Sequence, residues 1–217
     1  EVKLVCNCCN QVSVVVKVND LYKFDANSIY TKWFQSDSPE HPGVARLINQ
    51  GNCFVGGQVT LVKQHQRTKQ EWSLTPGQMR EIIAHNGWYQ IVGFHTRNSP
   101  HRAHEYMQMT AMERVGADAL LVHPALGQKW SGDFSPKAIL SGYEALINAH
   151  YSTIQVVLSG FFSNSWYAGP REAVFTALCR KNFGCTHFIL GRDHTGVAEF
   201  YKPNAVIKLF DKLGDIG

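Results

Sequence analysis

No apolar run in the 217 residues approaches the ~20 needed to cross a membrane as a helix. No G-x-G-x-x-G follows the first apolar strand and no G-x-x-x-x-G-K-[ST] occurs, so the dinucleotide fingerprint and the P-loop are both missing. H-E-x-x-H is missing too. The nearest match, "HRAH" (His101–His104), lacks the acidic residue and the i, i+4 spacing that a zinc protease needs. Basic runs are likewise absent. The net charge is only +4, with Lys and Arg spread along the chain, which argues against a nucleic-acid arm and leaves a local anion site as the use of the excess. Of the six cysteines, Cys6 and Cys9 have C-x2-C spacing within "CNCC", but no second pair completes a zinc site and Cys53 stands alone. Reduced, structural cysteines are the expectation, with Cys179 and Cys185 packing in a helix and just past its end. No targeting segment is visible and the first residue is not Met, so the cytoplasm is the default and a processed or trimmed start is expected.

Three regions are present. Residues 1–63 carry β-branched, alternating stretches ("EVKLV", "QVSVVVKV", "FVGGQVTLV") and one short helix near Asn27–Phe34. Residues 64–73, polar and poor in apolar groups, read as a linker. Residues 74–217 alternate short apolar strands ("YQIVGF", "ADALLVH", "IQVVL", "THFIL") with helices. The helices start at Pro76, His101, Ser135, Pro170 and Asn204, and Gly87 and Gly184 act as stops. Wholly apolar strands alternating with helices predict an α/β fold with a parallel sheet covered on both faces.

Ligands of such sheets sit beyond the carboxyl ends of the strands. Three polar clusters fall there: "HTRN" after the first strand, "HPALGQKWSGD" after the second and "GRDHT" after the last. His101 and His104, three apart at a helix start, share one face of its first turn beside free N–H groups and the positive helix end. Arg97 and Arg192 can each clamp an oxyanion with two N–H groups. Together these groups suit phosphoryl or nucleotidyl transfer, where positioning and charge stabilisation do most of the catalysis. Taken singly, each has a plainer reading. Either histidine could be a cap or a packing residue, Arg97 a surface ion pair, Asp193 a cap and Pro124 a simple turn. Arg171 and Glu172 could form a structural ion pair or touch ligand.

Two long motifs carry a family resemblance. "HTRNSPHRAHEYMQ" resembles the Q-T-R-N-P-x-H-R-[AG]-H-E motif of ATP sulfurylases, and "YAGPREAVFTALCRKNFGCTHFILGRDHTGV" resembles that family's Y-A-G-P-R-E-A…G-R-D-H-A-G stretch. "HPGVARL" and "FVGGQV" look like the end of its N-terminal β domain. The resemblance implies a Rossmann-like nucleotidyltransferase domain of the HIGH type, preceded by part of a PUA-like β domain. It implies conversion of ATP and sulfate to adenylyl sulfate and pyrophosphate, with ATP as its Mg2+ complex and no tightly bound, protein-ligated metal. By the same carry-over, Thr96, Arg97 and Asn98 are catalytic. ATP is held by His95, Thr96, Arg97, Asn98, His101, His104, Gly191, Arg192, Asp193 and His194, and the acceptor anion by His95, Arg97 and Thr195.

The departures from the family pattern sit at the anion end. His95 stands for the family's Gln, Thr195 for its Ala, Ser99 for its Pro, and Ser165-Trp166 for its Met-Arg, while Lys129 is displaced by Trp130 in "GQKWSGD". Either His95 replaces an amide donor in a sulfate enzyme, or the pocket takes another oxyanion or an organic acid. A protonated His95 would make anion binding pH-dependent near neutrality. Relative to the family pattern, the start of the β domain and the segment after the closing helix are expected to be missing. A non-catalytic nucleotide-binding homologue is the third reading, although retention of Arg97, Asn98, His101, His104, Arg192 and His194 argues against it. Neither nucleic acid nor membrane is an expected partner, and a homo-oligomer is left open.

Overall fold

The computed structural model describes residues 1–6, 10–63, 72–128, 132–151, 154–191, 194, 196–197 and 199–216. Most of the expected linker, and Cys8 and Cys9 of the cysteine cluster, lie outside those residues. The chain divides into two compact units, residues 1–69 and 70–217.

In the first unit, β1 (Val2–Val5), β2 (Val12–Lys23) and β3 (Cys53–Leu61) form an antiparallel sheet in the order β1-β2-β3. The expected helix is α1 (Ala26–Phe34), started by the Asp25 carboxylate, which accepts from Asn27 N. A second helix, α2 (Pro42–Gln50), was not foreseen in "HPGVARL". His41 caps it through Nδ1, which accepts from Gly43 N at 3.1 Å, and Pro42 occupies the first turn. With only Val44 and Leu47 as buried apolar anchors, its pattern is too short to stand out from β-rich neighbours.

The second unit opens with α3 (Pro76–Asn86), where Thr75 and Gln78 form a capping box and Gly87 closes the helix at φ 65°. β4 (Ile91–Thr96), α4 (Arg102–Val115), β5 (Ala119–Pro124), α5 (Pro136–His150), β6 (Gln155–Leu158), α6 (Gly169–Asn182), β7 (His187–Phe188) and α7 (Ala205–Leu213) follow. The four strands pair in parallel in the order β6-β5-β4-β7. Every residue of β5 is buried, as a strand covered on both faces should be. The period of two divides the core. Val92, Phe94, Leu120 and Val122 pack with Met112 of α4 and Ile139 and Tyr143 of α5. Ile91, Ala119 and Leu121 pack on the opposite face with Met79 of α3, Phe183 and Cys185. Each fully buried Leu or Phe contributes roughly 1.5–3 kcal/mol.

Two boundaries differ from the sequence reading. β7 spans two residues where "THFIL" suggested five, because its pairing with β4 covers only Val92↔His187 and Gly93↔Phe188. α4 starts at Arg102, with His101 as the extended cap residue, φ −148°. The chain leaves β4 toward β5 and β6 on one side and returns to β7 on the other. The strand order therefore reverses between β4 and β7, which is where open α/β sheets hold ligands.

Candidate active site

At the tip of β4, two consecutive side chains go to opposite faces of the sheet. Thr96 faces α5, and its Oγ1 accepts from Asn98 N at 3.1 Å, turning the chain outward at Arg97 and Asn98. Thr96 also forms a side-chain hydrogen bond with Tyr143, whose hydroxyl lies 3.3 Å from His104 Nδ1. Pro100 seats the start of α4 against α5, where a Cβ on Gly142 would come within 2.8 Å of the Pro100 ring. His101 makes no side-chain capping bond. Its ring instead stacks on His104, centroids 3.7 Å apart. His104 is buried against Phe94, and burial, with His101 beside it, lowers its pKa to about 4. His104 is therefore a neutral ring at ordinary pH, both packed in the core and one step from the helix start.

His95 faces α6. That helix lays a polar stripe, Glu172, Thr176 and Arg180, on the face it buries, at i, i+4 and i+8. Glu172 accepts from Trp166 N (3.0 Å), Ala168 N (2.9 Å) and Ser165 Oγ (3.3 Å), so it fastens the loop before α6. Burial raises its pKa against the opposing pull of these donors and of Arg97. The ion pair with Arg171 that the sequence allowed is not how Glu172 is used. The Thr176 hydroxyl lies 2.9 Å from Ala173 O and 3.0 Å from His194 Nε2, within hydrogen-bond reach of both. Arg180 is fully buried. Its Nη2 lies 2.6 Å from His95 Nδ1 and donates to His123 O at 3.0 Å, Nη1 donates to Thr176 O at 3.3 Å, and the guanidinium lies 4.2 Å over the Phe161 ring. Gly93 makes this possible, because a Cβ there would come 3.0 Å from Cys185 Sγ and 3.1 Å from Arg180 Cγ.

Electrostatically, this face is ruled by one cation. Burial lowers the Arg180 pKa only to about 10, so it stays charged at neutral pH. The His95 pKa is driven far down by burial, then by Arg180, His194, His123 and Arg97; that of His194 falls to about 4 by burial, Arg180 and Arg97. This overturns the expectation of a His95 that titrates near neutrality. The ring stays uncharged first because it is out of water, and then because a guanidinium faces its Nδ1. Three histidines thus surround a fixed positive charge, and among the described residues no group of three or more His, Cys, Asp or Glu is placed to hold an ion.

Two adjoining shallow depressions open here. They share Ala125, Ser163 and Ser165; Arg97, Gln128, Asp133 and Tyr167 line one, and His95, Phe161, Asn164, Glu172 and Thr176 the other. Arg97 lies 4.8 Å over the Tyr167 ring. Of the residues named from sequence, His95 and Arg97 line these depressions. His194 packs on His95, ring centroids 5.2 Å apart, and Gly191 O accepts from His194 N at 3.3 Å. Thr96 sits just behind, joined through Tyr143 to His104. His101, His104 and Asn98 line neither depression, and Asn98 is exposed. Arg192, Asp193 and Thr195, like Lys129 and Trp130, lie outside the described residues. Sequence reasoning missed Arg180, Thr176 and Tyr143. The i, i+4, i+8 polar stripe on a helix otherwise buried through Ala173 and Ala177 was the available signal for the first two.

Comparison with known proteins agrees with the motifs. The ATP-sulfurylase family model matches residues 70–217 and a PUA-like domain model matches residues 1–64. A sulfate adenylyltransferase of Symbiobacterium thermophilum is 41% identical over 94% of this chain and 51% of its own length; one of Staphylothermus marinus is 39% identical over 96% and 54%. The chain spans about half the length of the curated relatives it matches. Among solved structures, the hexameric APS kinase from Thiobacillus denitrificans superposes with a TM-score of 0.59 at 19% identity, over 86% of this chain and 32% of that one, a likeness of fold. With a parallel sheet whose switch point gathers both motif stretches, and a family model that spans the whole second unit, the chain belongs to the ATP-sulfurylase family.

Proposed function

We propose that the chain carries out adenylyl transfer from Mg2+-bound ATP to sulfate, giving adenylyl sulfate and pyrophosphate. A sulfate oxygen attacks the α-phosphorus, the bond from that phosphorus to the bridging oxygen of the β-phosphate breaks, and pyrophosphate leaves with the electron pair. The observation that carries this reading is that His95 and Arg97 line adjoining depressions beyond the carboxyl ends of β4, β5 and β6, with His194 from the segment after β7 packed on His95. Thr96, Arg97 and Asn98 are assigned to catalysis, with Arg97 holding the charge that develops in the transition state. His101 and His104 at the start of α4, with Gly191, Arg192, Asp193 and His194 after β7, are assigned to the nucleotide. His95, Arg97 and Thr195 are assigned to the acceptor. A helix start and the uncharged rings of His104 and His194 suit phosphate oxygens without adding a competing mobile cation.

One observation favours a second reading. His95 stands where the family motif has Gln, so the acceptor could be a different oxyanion or an organic acid. A pyrophosphate-release assay with a panel of anions tests both. Turnover with sulfate supports the first reading. Turnover only with another acid supports the second, and ATP binding without turnover on any acceptor points to a non-catalytic homologue.

A further inference from the structure

We infer that Arg180 is a positioning residue for the anion end of this site: by donating to His95 Nδ1 it fixes the ring with its proton on Nε2, so that His95 offers the cavity one oriented N–H donor. The identity of the anion as sulfate rests on the function proposed above; the state of the ring does not.

Arginine has N–H donors and no acceptor, so the 2.6 Å contact requires a lone pair on His95 Nδ1. A neutral imidazole with Nδ1 accepting carries its proton on Nε2. An imidazolium has no lone pair to offer and would meet the guanidinium head-on. Arg180 cannot move aside, because its other bonds run to His123 O and Thr176 O, its plane is held over Phe161, and its stem fills the space above Gly93. Two guanidinium groups oppose a proton on His95, Arg180 from α6 and Arg97 from the turn after β4, and the titratable rings of His123 on β5 and His194 after β7 act in the same direction. Glu172 lines the same depression, with its carboxylate held by Trp166 N, Ala168 N and Ser165 Oγ. Among the described residues no carboxylate bridges Arg180, and a buried guanidinium without a counter-charge is costly to the fold. That cost is compensated if the cation serves an anion in the cavity, directly through its field and locally through the tautomer it imposes. The arrangement reproduces with a histidine what the Gln of the family motif would supply, a neutral N–H donor.

The test is ¹⁵N-histidine NMR on the whole chain, with sodium sulfate as the probe. The expected result is a His95 ring protonated on Nε2, not titrating between about pH 5.5 and 8, whose Nε2 resonance shifts on adding sulfate. In Arg180→Gln the ring should exchange between tautomers and titrate nearer the ordinary value of about 6.5, with the half-saturating sulfate concentration raised roughly tenfold at pH 7.5. In a His95→Gln background the same Arg180→Gln change should raise it less than about twofold, since an amide donor needs no tautomer set for it. A wild-type His95 protonated on Nδ1, or one titrating between pH 6 and 8, overturns the proposal, as does an Arg180→Gln effect of equal size with and without His95. If Arg180→Gln does not fold, the wild-type tautomer and its sulfate response still decide. Absence of turnover with the Nε2–H state and its sulfate response intact would count against adenylyl transfer alone.

Discussion

Consecutive residues at the tip of β4, His95 and Thr96, lead into two histidine clusters with opposite designs. On the α4–α5 face, His101 stacks on His104, and the buried ring answers to a hydroxyl, Tyr143. His104 is neutral chiefly because it is out of water. On the α6 face, His95, His123 and His194 gather round a buried guanidinium, which adds its own field to the effect of burial. The same residue type is therefore kept uncharged in two ways. One face is an apolar seat at a helix start, and the other holds a permanent positive charge. Under the function proposed above, the first is assigned to the phosphate chain, the second to the small anion, and Arg97, in the turn that follows both side chains, to the chemistry between them.

The sharpest way to break that comparison is to remove the shared group. Arg97→Ala should lower turnover on the order of 10²-fold or more, as loss of a transition-state donor does; steady-state rates near those of the parent would show that the two faces do not meet at this side chain. Gly93→Ala should harm one face only. The new Cβ meets Cys185 Sγ at 3.0 Å and Arg180 Cγ at 3.1 Å, so a loss of roughly 1–3 kcal/mol is expected by urea denaturation. His104 resonances should stay put in that variant, and their displacement would mean that the faces are mechanically coupled.

Acid should act on both faces together. His104 and His194 have folded pKa values of about 4, below the ordinary 6.5, so the unfolded chain binds more protons between those limits. Their contribution to stability is complete above pH 6.5 and is lost as pH falls toward 4. The pair should account for about 2 kcal/mol of that loss, less than the full shifts imply because the rings keep some solvent contact. Thermal melts from pH 7 to 4 measure it, and a flat Tm across that window would refute the neutral-ring description. The smallest effect belongs to Tyr143→Phe, which removes the hydroxyl beside His104 Nδ1. It should cost roughly 1 kcal/mol and raise the KM for ATP severalfold while leaving that for the acceptor unchanged. An equal change in both constants would blur the two faces into one.

Much of this architecture was written locally. The apolar runs at Ile91–Thr96 and Ala119–Pro124, the proline starts of α3, α5 and α6 and the Gly87 stop are signals within a few residues of where they act. The spacing of His101 and His104 was legible for the same reason, since three residues on a helix is a fixed distance. α2 was hidden because two apolar anchors over nine residues do not make a period. Arg180 was hidden because a basic residue near a helix C-terminus ordinarily complements the helix dipole in solvent, and nothing adjacent in the chain says that this one is buried.

By itself, the sequence determined which residues could reach the strand tips, because alternation along β4 and the turn at Asn98 depend only on neighbours. What it could not determine was the charge on His95. That depends on a guanidinium 85 residues away, brought within 2.6 Å by the packing of α6 on the sheet. Protonation answers to burial and to the nearest fixed charge, and both are properties of the assembled chain rather than of any stretch of it.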